Sequence, residues 1–403
     1  MYHLRFTQKN KSVLYSPTFL TMALANFFTV SGFACFFLLP LFITEHGGTI
    51  ADVGIIMGIF AFASILCRPV VSEMVDRIGR KKSYTIGCLI MSVLPLSYLL
   101  FKGEITHFYL PLLIARFFHG AGLAVCFTSV FTYIADITPE TRLNEGVGIF
   151  GVTGLIGMAV GPIIGEAVIK DFGFSAFFLV AAGMAIAGLL FHLPLPESSM
   201  DKSPENSPTF FKVFMRRKIF MIFCLAFLFG VGLAAFGGFI SPYARERHIS
   251  FISLYYIAYS SGAVLTRFFG GKLADRIGED KIIPPALILT GTGLLILFFL
   301  GGNFVLFFSG LVSGCGHGFL FPGLNAIAIR GEPAYIRGKI IGIFTGGIDT
   351  GTFAGSIILG YLGKWMGFKT VFFVAGLALI GGLGIYKILS AHLKKEIGAN
   401  EDS

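Results

Sequence analysis

The chain has 403 residues, of which 55% are hydrophobic and only 13% are charged, and its mean hydropathy is +0.81. A soluble domain carries about 25% charged residues, so this composition excludes soluble enzymes and nucleic-acid binders. The 52 glycines and 46 phenylalanines favour packed transmembrane helices, because the sequence has no series of short strands with the alternating polarity of a barrel. We therefore predict an all-α integral membrane protein.

Twelve apolar runs predict twelve transmembrane helices, since each is close to the ~20 residues that cross a bilayer. A polar, proline-rich stretch divides these runs six and six. The sequence therefore predicts an N-terminal six-helix bundle at 1–193, a cytoplasmic linker at 194–218 and a C-terminal six-helix bundle at 219–403. The runs are 17–43, 51–71, 83–101, 108–134, 146–169, 174–193, 219–240, 251–271, 282–301, 304–329, 339–361 and 368–389.

The positions of the basic residues predict the orientation. If both termini lie inside, the inside segments hold most of the 31 Lys and Arg residues, as the positive-inside rule requires. Three arginines, Arg68, Arg116 and Arg267, remain within the spans. We expect cytoplasmic N- and C-termini in a bacterial inner membrane, with lipids around the protein.

Two stretches of the first half recur in the second half. Between 68 and 79, Arg68 and the four residues 76–79 recur 199 residues later at 267 and 275–278. Between 148 and 161, residues 148–150 with Gly157 and Gly161 recur 194 residues later at 342–344, 351 and 355. Repeats separated by an even number of spans are parallel, and parallel repeats place a binding site between the halves near the middle of the membrane. The sequence thus favours transport by alternating access.

The repeated loop carries charged residues, as SEMVDRIGRKK at 72–82 and GKLADRIG at 271–278. These loops resemble the signature loop of the major facilitator superfamily, and the resemblance covers nearly the whole chain. It implies secondary transport by two rocking halves, with a cytoplasmic latch near the start of the eleventh helix, where a carboxylate gains about 0.3–1 kcal/mol from the helix dipole. The alternative is a loop that only sets topology. The predicted latch residues are Asp76, Arg77, Arg80, Asp275 and Arg276.

Glycines spaced four residues apart mark the fifth and eleventh runs. The fifth run is similar to the Gly-Pro motif of the drug/proton antiporter branch, which implies export. Such spacing lets a neighbouring backbone approach closely, while proline bends the helix. The predicted helix-packing residues are Gly157, Gly161, Pro162, Gly165, Gly351 and Gly355.

Four residues are candidates for proton coupling. Asp349 lies about 15 Å into the eleventh span and is the one carboxylate predicted near the midplane. Arg116 lies about 12 Å into the fourth span, in a stretch that resembles the family's second motif, which implies a link to proton transfer. His317 could relay protons, and Glu166 is either a proton site or a solvated carboxylate at the membrane surface. A structural role is the alternative for Asp349, Arg116 and His317.

The same spans supply candidates for substrate binding, although a lone polar residue often serves only packing. The candidates are Asn26, Arg116, His119, His317 and Asn325.

No nucleotide-binding loop or metal-ligand cluster occurs in the sequence, so we expect no cofactor and no metal. We predict a monomeric transporter that exports a small amphipathic organic solute in exchange for protons. A proton-coupled uptake symporter and a transport-inactive membrane sensor are the alternatives.

Overall fold

The structure is a computed structural model that describes residues 14–139, 142–198 and 208–401. Every regular element in these ranges is helical. The first half contains α1 (Pro17–Cys35), α2 (Leu39–Glu45), α3 (Ile50–Ile78), α4 (Arg80–Ser97), α5 (Ile105–Ile137) and α6 (Leu143–His192). The second half contains α7 (Phe210–Phe214), α8 (Arg217–Gly238), α9 (Ile240–Glu246), α10 (Leu254–Ile277), α11 (Glu279–Ile296), α12 (Asn303–Ile329), α13 (Ala334–Met366) and α14 (Phe368–Glu401).

Within the described ranges, nine helical stretches are long and apolar enough to cross a membrane. One of them, Glu145–His192, has 48 residues and contains the non-helical Gly173, with φ +76°, between the predicted fifth and sixth spans. The predicted eighth and eleventh runs are helical as α10 and α13 but are not among the nine. The all-α membrane class is therefore supported, and the count of twelve stays a prediction.

Glycines bring pairs of helices into backbone contact. A Cβ added at Gly161 of α6 would overlap the carbonyl oxygen of Ser31 in α1, and one at Gly351 of α13 would overlap that of Phe227 in α8. Gly157 and Gly355 lie at similar close approaches one turn away. Because only glycine leaves room there, these positions fix α6 on α1 and α13 on α8.

The chain reverses direction at two opposite ends of the helix bundle, which we call the linker end and the far end. The linker end holds the starts of α1, α4, α8 and α13, and the far end holds the starts of α3, α5, α10, α12 and α14. At the far end, hydrogen bonds and an ion pair join the two halves: Ser241 Oγ donates to the Phe37 carbonyl at 2.9 Å, and Arg245 pairs with Glu45 at 3.3 Å. At the linker end, the polar side chains that the structure describes contact partners within their own half. Examples are Arg80 with Asp136 and Arg216 with Glu332.

Replacing Gly351 with alanine should lower the melting temperature of the purified protein, because the methyl group has no space against α8. Overpacking of this kind costs about 1–3 kcal/mol. The control is Gly381→Ala in α14, where an added Cβ meets nothing within 4 Å. Equal melting temperatures for the two variants would contradict the proposed close contact.

Candidate functional site

An ion pair joins the two halves between α3 and α13. The Arg68 guanidinium contacts the Asp349 carboxylate, and its Nη1 donates to Thr345 Oγ1 at 2.6 Å. Ser64 Oγ donates to Asp349 Oδ2 at 2.8 Å. The side chains of the ion pair are 20% and 23% exposed. The site is therefore a small polar cluster with limited access for water, which strengthens electrostatic interactions.

Asp349, predicted as the one carboxylate near the midplane, has a cationic partner in Arg68 that the sequence did not assign to it. Arg68 lies 281 residues away along the chain, and only the packing of α3 on α13 places it opposite Asp349. Gly54 and Gly58 of α3 create that packing, because they lie directly against Ser356 in α13. Two features of the sequence did mark Arg68: it is an arginine within a predicted span, and it belongs to a repeat. These features could have identified it as a site residue.

Arg116 is buried inside the first half. Its side chain is 1% exposed and its guanidinium carbon lies 4.3 Å from the centre of the Phe60 ring. Its Nη1 lies 3.5 Å from His119 Nδ1 and its Nη2 lies 3.8 Å from Met57 Sδ, and the Nε atom has no hydrogen-bond partner among the described residues. Arg116 and His119 are thus brought together, but without a carboxylate in the described part of the chain.

The other three candidates for substrate binding have separate surroundings. His317 is buried, and its Nδ1 shares a hydrogen bond with the Tyr259 hydroxyl. Asn26 Nδ2 donates to Thr153 Oγ1 at 2.9 Å and so joins α1 to α6. Asn325 Oδ1 is buried without a hydrogen-bond partner among the described residues. These contacts of Asn26 and His317 each lie within one half.

Glu166 joins the halves at the far end. Its two carboxylate oxygens accept the backbone N–H groups of Ile252 and Ser253, each at 2.7 Å, just before the first residue of α10. These N–H groups precede a helix and have few other acceptors, so a carboxylate there is favoured by charge-assisted hydrogen bonds. The alternative of a freely solvated surface carboxylate is therefore wrong.

The predicted latch residues that the structure describes pair with neighbours in the first half. Asp76 is 67% exposed and lies 3.6 Å from Arg80, which also pairs with Asp136 of α5 at 3.0 Å. Arg77 pairs with Glu73, one helical turn away, at 2.5 Å. Sequence reasoning missed Asp136, which no motif marks. The side chains of Asp275 and Arg276 lie outside the described residues.

This arrangement matches a known family of transporters. The family model of the Major Facilitator Superfamily matches residues 20–264 and 248–402. The chain belongs to the major facilitator superfamily. This confirms the resemblance of the repeated loops, and it makes the protein a membrane transporter of small molecules rather than an enzyme.

Relatives agree with this assignment, and a solved structure shares the fold. The chain is 28% identical over 357 residues to multidrug resistance protein 2 of Bacillus subtilis, covering 83% of this chain and 85% of that protein. It is 24% identical over 363 residues to the staphylopine export protein of Staphylococcus aureus, covering 85% and 88%. A crystal structure of a POT family transporter bound to a thioalcohol-conjugated peptide superposes with a TM-score of 0.76, at 14% identity, and covers 94% and 96% of the two chains.

Replacing Glu166 with alanine should increase hydrogen exchange at the amides of Ile252 and Ser253. Two charge-assisted hydrogen bonds are lost, and about 1.5–3 kcal/mol for such bonds corresponds to about tenfold faster exchange or more. Exchange measured by mass spectrometry on the peptide spanning these residues tests this. The control is Glu45→Ala, which removes the exposed pair with Arg245 at the same end and should leave this peptide unchanged. Equal protection in wild type and Glu166→Ala would contradict the contact.

Replacing Arg116 with methionine should raise the melting temperature by about 2 °C or more, because a buried charge without a carboxylate partner is costly. Arg116→Lys should lower it, since lysine keeps the charge but loses the planar contact with Phe60. Thermal unfolding of the purified variants compares them. If methionine destabilises the protein as much as lysine, Arg116 has an ionic partner that these contacts do not include.

Proposed function

We propose that the protein exports a small amphipathic organic solute in exchange for protons. It does so by alternating access of two six-helix halves, 1–193 and 219–403, joined by a cytoplasmic linker at 194–218. In this proposal twelve helices span a bacterial inner membrane, both termini are cytoplasmic, and the transporter works as a monomer surrounded by lipid.

The observation that carries the proposal is the ion pair between Arg68 and Asp349. It connects α3 to α13, so it lies between two elements that must separate when one half rocks against the other. Protonation neutralises Asp349 and leaves the Arg68 charge without its partner, which removes the attraction between the halves. Proton binding and the change of access are therefore linked through one contact.

The distribution of polar contacts supports a state open towards the linker end. Three sets of contacts close the far end across the halves: Ser241 with Phe37, Arg245 with Glu45, and Glu166 with the start of α10. In this proposal the far end is the outer face, so the structure corresponds to an inward-facing state. Loss of these contacts accompanies opening to the outside.

The latch residues fit the same cycle. Asp76 is exposed in the present state and pairs with Arg80 rather than with α13. When the linker end closes, α3 approaches the start of α13, and Asp76 can then accept its free N–H groups. Asp76, Arg77 and Arg80, with Asp275 and Arg276 in the second copy, would then stabilise the outward-facing state.

Export rather than import rests on the likeness to relatives that are named as exporters or multidrug resistance proteins. The staphylopine export protein and multidrug resistance protein 2 each align with more than four fifths of this chain. The glycine and proline spacing at 157–165 is similar to that of antiporters, which agrees with outward transport in exchange for protons.

Asp349→Asn should keep exchange of substrate across the membrane but lose accumulation driven by a pH gradient. Asparagine has the shape of protonated aspartate but cannot release a proton. The measurement uses proteoliposomes and a substrate identified by a thermal-shift screen of metabolites and lipophilic ions. Exchange should stay within about twofold of wild type, while uphill accumulation should fall by about tenfold or more, as expected when a coupling of about 1.4 kcal/mol or more is removed.

The matched control is Ser64→Ala. It removes the hydrogen bond to Asp349 at 2.8 Å but retains the ion pair with Arg68, so proton-driven accumulation should persist. Undiminished accumulation by Asp349→Asn would contradict the assignment and redirect it to Glu166, whose carboxylate accepts two backbone N–H groups of the opposite half.

A further inference from the structure

The repeats place a second arginine at a position equivalent to Arg68. An offset of 199 residues relates Arg68 of α3 to Arg267 of α10, and an offset of 194 residues relates Thr345 of α13 to Gly151 of α6. The contacts follow the same relation. Arg68 Nη1 reaches Thr345 at 2.6 Å, and Arg267 Nη1 would lie 2.6 Å from a Cβ added at Gly151. Each arginine thus extends from one half to the other.

The two sites differ in what faces the guanidinium. The residue equivalent to Asp349 is Leu155, which is 3% exposed, and the residue equivalent to Ser64 is Ala263. Arg267 has no ion pair or hydrogen bond among the described residues, and its Nε atom is buried without a partner. The second site therefore has the cation but has neither the counter-ion nor the hydroxyl of the first site.

An unpaired guanidinium in a protein interior is costly, and the cost falls when an anion binds to it. The planar fork of N–H donors fits a carboxylate or sulfonate in particular. The neighbourhood is aromatic: the guanidinium carbon of Arg267 lies 6.0 Å from the centre of the Phe321 ring, and His317 stacks on that ring at 6.2 Å. A solute with an anionic group and an apolar ring would pair with the guanidinium of Arg267 and pack against the neighbouring aromatic ring of Phe321.

Arg116 also lacks a carboxylate partner among the described residues, but it is a weaker candidate for this role. It is fully buried within the first half, between the rings of Phe36 and Phe60. Arg267 is partly exposed and lies at the contact between the halves. Only a residue at that contact is reached by a solute that moves between them.

We infer that Arg267 binds the anionic group of the transported solute, so that the substrate class is small organic anions with an aromatic or apolar body. The inference rests on the proposed transport function, because it assigns a substrate to the same interface. It makes the two related arginines complementary: Arg68 holds the internal carboxylate of Asp349, and Arg267 holds the carboxylate or sulfonate of the solute.

The test measures binding to the purified protein in detergent, without a membrane or a gradient. The probes are naphthalenesulfonate, its neutral analogue naphthalenesulfonamide and the cation naphthylmethylammonium, and the readout is the concentration dependence of the melting temperature. Naphthalenesulfonate should stabilise the wild type saturably, with at least about tenfold higher affinity than the other two probes. No stabilisation by the sulfonate, or equal stabilisation by the sulfonamide, overturns the inference.

Variants identify the residue responsible. Arg267→Gln should weaken sulfonate binding by about thirtyfold or more, the value expected for loss of about 2 kcal/mol or more from a buried charge pair. Leu155→Asp should weaken it as strongly, because an aspartate there supplies the missing internal counter-ion, whereas the uncharged control Leu155→Asn should retain binding. Wild-type affinity in Arg267→Gln overturns the inference.

Two further outcomes separate this inference from its alternatives. Phosphatidylglycerol added to the detergent should not displace the sulfonate, and displacement would assign Arg267 to a lipid headgroup and overturn the inference. Sulfonate binding without proton-driven flux in proteoliposomes would contradict the export mechanism while leaving Arg267 as an anion site. Proton-driven export of neutral or cationic solutes alone would uphold the mechanism and overturn the anionic substrate class.

Discussion

The attraction between one arginine and one aspartate connects the two halves of this transporter. In the proposed mechanism, Arg68 and Asp349 lie on helices whose distance changes during transport, and both side chains are largely shielded from water. Removing one charge from a buried pair costs about 3–5 kcal/mol because the other charge is left uncompensated. A shift of that size is enough to reverse a two-state equilibrium, so in the proposed mechanism a single proton on Asp349 selects between the two states of access.

Close helix packing explains how, in the proposed mechanism, a change at that ion pair can move a whole half of the protein. Gly351 packs α13 closely on α8, and Gly161 packs α6 closely on α1, so in the proposed mechanism each half moves as a packed unit. The contacts between α3 and α13 rest instead on the small residues Gly54 and Gly58 and on a polar cluster. Packed interiors transmit displacement with little deformation, so in the proposed mechanism a change at the polar cluster becomes a movement of the whole half.

The sequence predicts the fold class well because hydrophobic runs and glycine spacing are local features. It also singles out Asp349, since a carboxylate within an apolar run is rare. The partner of Asp349 was missed because Arg68 lies in another helix, and the distance between helices is a tertiary property. Glu166 was misjudged for the same reason: the backbone N–H groups of Ile252 and Ser253 that donate to its carboxylate come from the opposite half. The break at Gly173 shows that one long helical stretch can contain two predicted spans.

The most direct measurement is the distance between α3 and α13 as a function of pH. Spin labels carried on unnatural amino acids at Ser72 and Gly338 place one probe near the linker end of each helix, and double electron–electron resonance in nanodiscs reports the distance distribution. The account predicts that the wild-type distribution changes with pH, and that Asp349→Asn holds the low-pH wild-type distribution at every pH. A pH response in Asp349→Asn equal to that of the wild type would contradict the account.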